Sequence, residues 1–452
     1  MKPLQLRWLM PALILTLFAL PGRVAAQFSL DAQLRTRAEL RDGQGAPLPQ
    51  QSAPAFFISQ RTRLNAGYNR EKIKIGVSVQ DVRVWGQDVS TINRTTTEAN
   101  NGLMLHEAWA EIGLSDTASK SQFAIKVGRQ ELIYDDQRVI GNLDWLQQAR
   151  RHDAVLLKFN RLAHTIHAGF AFNQNRENAA GTVYNAAAPW YAANTNGGSM
   201  YKSFEFIHYD TKHKQGTVSL LFFADQFSKY HTDQQNAAKV WDRGSWTRIT
   251  AGTHLTYKFS KTDLTASAYY QTGKNADGKN LSATLFSISA LQTVTTKFSA
   301  GPGFDYTSGG VSATESNAFD PLYGTPHKFW GYMDYFYAGS GFGNRGLINY
   351  YLKSRYKAGK SVLLALDLHH FSSASAVKNA AREKVARKFG KEIDFVATHT
   401  VSKVFSVEAG YSHFFSSPAL TGPGVKNISN PGNNSNWAYL MLNIRPALIF
   451  IK

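Results

Sequence analysis

Residues 28–41 read FSLDAQLRTRAELR, and two residue classes alternate there without a break. Phe28, Leu30, Ala32, Leu34, Thr36, Ala38 and Leu40 form one set. Ser29, Asp31, Gln33, Arg35, Arg37, Glu39 and Arg41 form the other. A β-strand repeats every two residues, so one face is apolar and the other charged. A sandwich strand shows the same alternation, but this run spans 14 residues and similar runs recur along the chain. Lipid outside and water inside give that pattern in a transmembrane barrel.

Further strand runs are expected at 56–69, 72–85, 103–115, 121–130, 151–160, 164–173, 200–210, 216–227, 246–259, 263–273, 281–291, 294–305, 346–357, 361–372, 389–402, 404–416 and 436–446. That makes about 18 strands. Short gaps such as Arg70-Glu71 and Ser402-Lys403 alternate with long Gly-, Asn-, Ser- and Pro-rich ones such as 174–199, 306–345 and 417–435. The reading is an all-β fold: one transmembrane antiparallel barrel with short periplasmic turns and long extracellular loops. An even strand number puts both ends of the chain on the short-turn side. Aromatics near strand ends, among them Tyr68, Tyr257 and Phe415, suit interfacial girdles.

Two segments depart from this pattern. In 72–85 the apolar phase flips near Asp81, as at a bulge or an early exit from the bilayer. Lys378 to Lys388 (KNAAREKVARK) suits a short helix in an outer loop, most simply as a solvated basic segment.

The first 26 residues read as a cleavable leader: Lys2 and Arg7, then the apolar run Trp8 to Leu20, then Val24-Ala25-Ala26 before Gln27. The expected division is 1–26 signal peptide and 27–452 barrel, placed in the outer membrane. The chain has no cysteine, which removes thiolate chemistry. A closed barrel replaces disulfides as a source of stability by pairing every backbone group.

Net charge is +18, of which Lys2, Arg7 and Arg23 belong to the leader, so +15 remains beyond it. In an exported barrel this surplus points to acidic solutes in the lumen rather than to nucleic acid. A water-filled lumen lined by guanidiniums is therefore expected. Arg35, Arg37, Arg61, Arg63 and Arg83 are read as lumen-facing, as are Lys353 and Arg355 opposite Ile348, Tyr350 and Leu352. A guanidinium matches a carboxylate bidentately and stays charged. The competing reading pairs these arginines with Asp31, Glu39, Glu107, Glu111, Glu392, Asp394 and Glu408 in a static network. Both roles are expected to coexist.

Four stretches resemble a known family. They are Gln60-Arg61-Thr62-Arg63-Leu64; Gly128-Arg129-Gln130-Glu131-Leu132 with Asp135 to Gly141 and Trp145; Asp153 to Leu157; and Gly303 to Gly309 with Asn317 to Tyr323 and Gly331 to Asp334. The chain resembles the alginate export (AlgE-like) outer-membrane porins. That resemblance implies a monomeric 18-stranded barrel with an arginine-lined constriction, which passes an acidic polysaccharide outward. It adds Arg129 and Arg138 to the pore residues, at the mouth of the fifth strand and in its loop. It also makes Trp145 and Trp330 the preferred rings to stack on sugar faces. Implied partners are the anionic polymer, outer-membrane lipid or lipopolysaccharide, and periplasmic export proteins.

No Gly-x-Ser-x-Gly or His-Glu-x-x-His spacing is present, and no catalytic residue, metal or cofactor is assigned. His369 and His370 are adjacent on one strand, so their rings face opposite sides. The alternatives are a general or small-anion uptake porin of the same architecture and, behind it, an outer-membrane barrel hydrolase.

Overall fold

The computed structural model describes residues 27–86, 103–116, 118–173, 201–336, 344–378 and 384–451. The leader, read as residues 1–26, lies outside them. Eighteen long strands form one antiparallel sheet. In order they are β1 (Gln27–Asp42), β2 (Ala55–Arg70), β3 (Ile73–Val84), β4 (Met104–Gly113), β5 (Ser121–Gln130) and β6 (His152–Arg161). Next come β7 (His164–Phe172), β8 (Ser203–His213), β9 (Gly216–Thr232), β10 (Lys239–Phe259), β11 (Thr262–Lys274) and β12 (Asn280–Thr293). The last six are β13 (Phe298–Thr307), β14 (Leu347–Lys357), β15 (Val362–Ser373), β16 (Lys388–Thr400), β17 (Phe405–Ser416) and β18 (Asn434–Ile444).

Each strand pairs with the next, and β1 also pairs with β18 from Leu34↔Ile444 to Asp42↔Asn436, so the sheet closes. Closure leaves no open edge, as a lipid-embedded sheet requires. After an irregularity at Arg445-Pro446, Ala447–Ile451 continues along β1, with Ser29↔Phe450 in register.

The two-residue period sorts the side chains as the sequence demands. On β1, Gln33, Arg35, Arg37 and Glu39 are buried on the inner face while Leu34 and Leu40 are exposed on the outer one. On β14 and β15, Tyr350, Leu352, Leu366 and Leu368 are exposed outside, while Asn349, Asp367 and His369 are buried inside. Apolar side chains exposed all round the wall are the lipid-facing surface of a membrane barrel.

The register corrects two expectations. β2 and β3 pair without interruption from Ser59↔Val84 to Arg70↔Ile73, and the bulge lies between β3 and β4, after Ser78↔Glu107. Asp81 and Arg83 therefore keep the outward phase of Val77 and Val79, opposite Thr62 and Gln60. The polar residues mark the strand leaving the bilayer, and no phase flip occurs. The expected helix over Lys378–Lys388 is not formed at its described ends. Val377–Lys378 and Lys384–Val385 pair as a short β-ladder, with 379–383 outside the described residues.

The core sits inside the cylinder. Residues 131–151, between β5 and β6, and 319–336, between β13 and β14, reach the buried faces of strands all round the wall, so both segments lie in the lumen. Tyr134 and Asp135 meet His167 and His208 on β7 and β8, and Arg138 meets Asp305 on β13. From the second segment, Tyr335 stacks on Phe414 of β17 with ring centroids 4.0 Å apart, and Phe336 packs on Phe371 of β15 at 4.5 Å.

If the outer and inner faces are as described, Leu64→Arg on the lipid face should cost about 2–4 kcal/mol of barrel stability. Asn65→Arg, one residue along and facing inward, should be tolerated. Refolding into vesicles, read as heat-modifiable gel mobility, checks the pair.

Candidate functional site

The inner wall of β1 and β2 carries five guanidiniums, Arg35, Arg37, Arg41, Arg61 and Arg63, and the segment 131–151 brings acceptors to all but Arg41. The Asp144 carboxylate receives Arg61 at 2.8 Å and Arg35 at 3.3 Å. Arg35 also donates to the backbone carbonyls of Asp144 (2.8 Å), Trp145 (3.4 Å) and Leu146 (3.1 Å), and to the Gln147 side chain at 2.9 Å. Arg61 adds the Gln147 carbonyl at 3.3 Å and Gln33 at 2.7 Å. Arg37 donates to the Trp145 carbonyl at 2.9 Å and to Glu39 at 2.8 Å. Arg63 is held by Gln80 at 2.6 Å, with Glu131 at 3.7 Å. A guanidinium has several fixed donors and no acceptor, so it suits a cluster of carbonyls left unpaired by an irregular loop.

Burial works to raise the Asp144 carboxyl, but Arg61 and Arg35 outweigh it and hold that group below the usual carboxylate range.

The two inward segments are joined to each other. Ile140 and Tyr323 form a parallel bridge, supported by Gly141 N–H to the Tyr323 carbonyl at 2.9 Å and Thr325 N–H to the Gln137 carbonyl at 2.8 Å. Arg150 ties the joint by donating to the carbonyls of Gly141 (3.1 Å), Gly324 (2.7 Å) and Tyr323. On the far wall, Arg248 of β10 binds Asp225 at 2.6 Å and Asp320 of the second segment at 2.7 Å. Gly331 sits at φ +84° where a Cβ would run into the Glu392 carboxylate. That absence of a side chain lets Met333 N–H reach Glu392 at 2.8 Å and Tyr332 N–H reach Asp394 at 3.4 Å.

The lumen is therefore not the open water-filled tube the sequence suggests. Leu132, Val139, Ile140, Leu322, Tyr323, Trp330, Met333, Tyr335 and Phe336 pack against inner-wall aromatics as a dry cluster. Polar space remains beside it. One cavity of about 280 Å³ is lined by Asp31, Arg61, Arg63, Glu131, Asp144 and Arg445. A second of about 500 Å³ is lined by Arg35, Trp145, His327, Lys328, Tyr332 and Glu408 among others. The two share Asn142, Asp144 and Arg445 in their walls.

Not every sequence-assigned residue reaches this site. Arg35, Arg37, Arg61 and Arg63 do. Arg138 is buried in the inward segment, paired with Asp305 at 3.0 Å and Asp136 at 3.3 Å, its guanidinium 3.9 Å from the centre of the Phe329 ring. Lys353 and Arg355 face inward on β14 and share Asp367, at 3.5 Å from Lys353. Arg83 does not reach it. It lies on the outer wall and pairs with Asp81 two residues back. Arg129 likewise shares the outward phase of Val127, which is exposed, and pairs with Asp153 of β6 at 2.8 Å. Trp145 is sandwiched between Arg37 (4.2 Å) and His327 (4.4 Å), and Trp330 is only 3% exposed. Neither ring offers a free face to a sugar. Asp144, Arg150 and Arg248 escaped the sequence reading, because their partners lie far away along the chain.

The alginate export family matches residues 26–424. The chain belongs to that family. Its fold is that of solved outer-membrane porins. OpdO of Pseudomonas aeruginosa is 15% identical with a TM-score of 0.58, covering 93% of this chain and 98% of that one. OccAB4 of Acinetobacter baumannii is 14% identical with a TM-score of 0.60, covering 95% and 100%. A BenF-like porin from Pseudomonas fluorescens is 12% identical with a TM-score of 0.58, covering 93% and 99%. A comparison with curated proteins finds no matching relative. At these identities the solved structures carry the fold alone. Family and fold together make the protein a porin-type channel of the outer membrane.

The clamp on 144–147 predicts that Asp144→Asn, or Arg35→Gln with Arg61→Gln, releases the segment tip. The Asp144 side chain is 36% exposed, so solvent screens the pair and its loss costs less than that of a fully buried one. Amide exchange over 142–150 should accelerate severalfold while the strands stay protected. A carboxyl with a depressed pKa contributes its stability above the ordinary carboxylate range and loses it as pH falls through its own lower value. Protection of the same amides should persist at pH 5 and fail only below about pH 4.

Proposed function

We propose that the channel is anion-selective and passes an acidic polysaccharide such as alginate outward, as a monomer and without catalysis. The observation that carries this reading is the charge imbalance on β1 and β2. Among the described residues the inward guanidiniums of Arg35, Arg37, Arg61 and Arg63 have only Glu39, Asp144 and Glu131 within ion-pair range, and Glu39 is shared with Arg41. Polymer carboxylates can replace the acceptors of the segment tip one guanidinium at a time. Many exchangeable contacts suit conduction, whereas one tight site would block it. Family membership supports the polymer and the outward direction, and delivery by a periplasmic export protein follows from the same reading.

The second reading is a small-anion uptake porin. The packed inward segments favour it, since cavities among the described residues of about 280, 350 and 500 Å³ suit a small anion rather than a chain.

Reversal potential under a salt gradient tests selectivity. The wild-type channel should favour anions, and Arg61→Ala with Arg63→Ala should reduce that preference severalfold with the barrel still folded. Unchanged selectivity would remove the pair from the pore. Uronate oligomers added to reconstituted channels separate the two cargoes. Block that strengthens with oligomer length supports the polymer. Block by monomers alone supports the small-anion porin.

A further inference from the structure

The outer wall treats its charges in two ways. On β3 and β5 two outward arginines are neutralised in place, Arg83 by Asp81 and Arg129 by Asp153. Around β15 and β16 the outward charges are not. His370 and Lys391 stand opposite each other in register, and Lys388 stands opposite Ser372 one step toward the loop end. All three face outward, in the phase of the exposed Leu368 and Ile393, and Lys388 and Lys391 are exposed. Arg387 and Lys384, also exposed, extend the positive run into the adjoining loop. Among the described residues none of Lys384, Arg387, Lys388, Lys391 and His370 forms an ion pair with a carboxylate.

The row containing His370 and Lys391 ends in aromatics. It reads Tyr350↔His370↔Lys391↔Phe415 across β14 to β17, with Tyr350 57% and Phe415 43% exposed. Outward aromatics at strand ends mark the level where acyl chains give way to headgroups. Neighbouring strands lie about 5 Å apart and alternate residues about 7 Å apart along a strand, so the two ammoniums and the imidazole, which donates a hydrogen bond, can converge on one phosphate. A lysine at this level is stabilised when its aliphatic stem lies on the wall and its ammonium meets a headgroup.

We infer that His370, Lys388 and Lys391 form a binding site on the outer wall for the phosphate of a membrane glycolipid of the lipid A class. The assignment is independent of what the lumen carries. It explains why acidic partners accompany the outward arginines of β3 and β5 but not these lysines: here the counter-charge comes from the leaflet. Aromatic flanks on both sides seat the acyl chains, and the basic residues of the loop return to β16 lie above the headgroup.

Native mass spectrometry of the refolded full-length barrel with diphosphorylated lipid A tests this. The wild-type protein should retain one lipid through detergent removal, and the same lipid stripped of phosphate should be retained about tenfold less. Lys388→Gln with Lys391→Gln should lower retention of the phosphorylated lipid on the order of tenfold. Asp81→Asn with Arg83→Gln should leave it unchanged. Heat-modifiable mobility confirms that each variant is folded. Equal retention of the phosphate-free lipid by the wild-type barrel overturns the site whatever the variants do. So does wild-type-like retention by the lysine variant, or an equal loss in the Asp81/Arg83 control.

Discussion

Backbone hydrogen bonding in a medium without water is the constraint on which everything else depends. An unpaired N–H or C=O in hydrocarbon costs several kcal/mol. The sheet meets this by closing β18 onto β1 and by carrying Ala447–Ile451 further along the same strand. Once the ladder is closed, every strand residue has only two directions available. Lipid selects the apolar set for one and leaves the polar set for the other. The charged lumen is thus a by-product of satisfying the membrane.

Inside the cylinder the same rule acts on different backbone. The segments 131–151 and 319–336 are largely irregular, and their carbonyls and N–H groups cannot all pair locally. Inner-wall side chains complete them. Guanidiniums of Arg35, Arg37 and Arg61 serve the carbonyls of 144–147, and carboxylates of Glu392 and Asp394 serve the N–H groups of Met333 and Tyr332. Residues suited to recognising a charged cargo are occupied by the protein's own backbone. The inner wall and the segments that fill it are held together by one set of contacts.

The strand reading was legible because its signal is local. Alternation in 28–41 and 246–259 needs no knowledge of neighbours, and the structure places β1 at Gln27–Asp42 and continues β10 back to Lys239. Failures occurred where polarity and phase disagreed. The charge of Arg83 suggests an inward side chain, although its register follows Val77 and Val79. Arg129 was placed by a family-like motif, although it shares the outward face with Val127 and Asp153. Charge says that a residue seeks water or a counter-ion. It does not distinguish the lumen from the headgroup level of the outer wall.

Sequence alone determined the strand count and the apolar outer surface, since each follows from a two-residue period. Tertiary structure decided what fills the interior. Asp144 finds Arg35 and Arg61, Arg150 finds Tyr323, and Arg248 finds Asp320 across separations with no periodic signature. Only closure of the cylinder brings those groups within hydrogen-bonding distance, because the wall's curvature places β1, β10 and β16 around the same two segments.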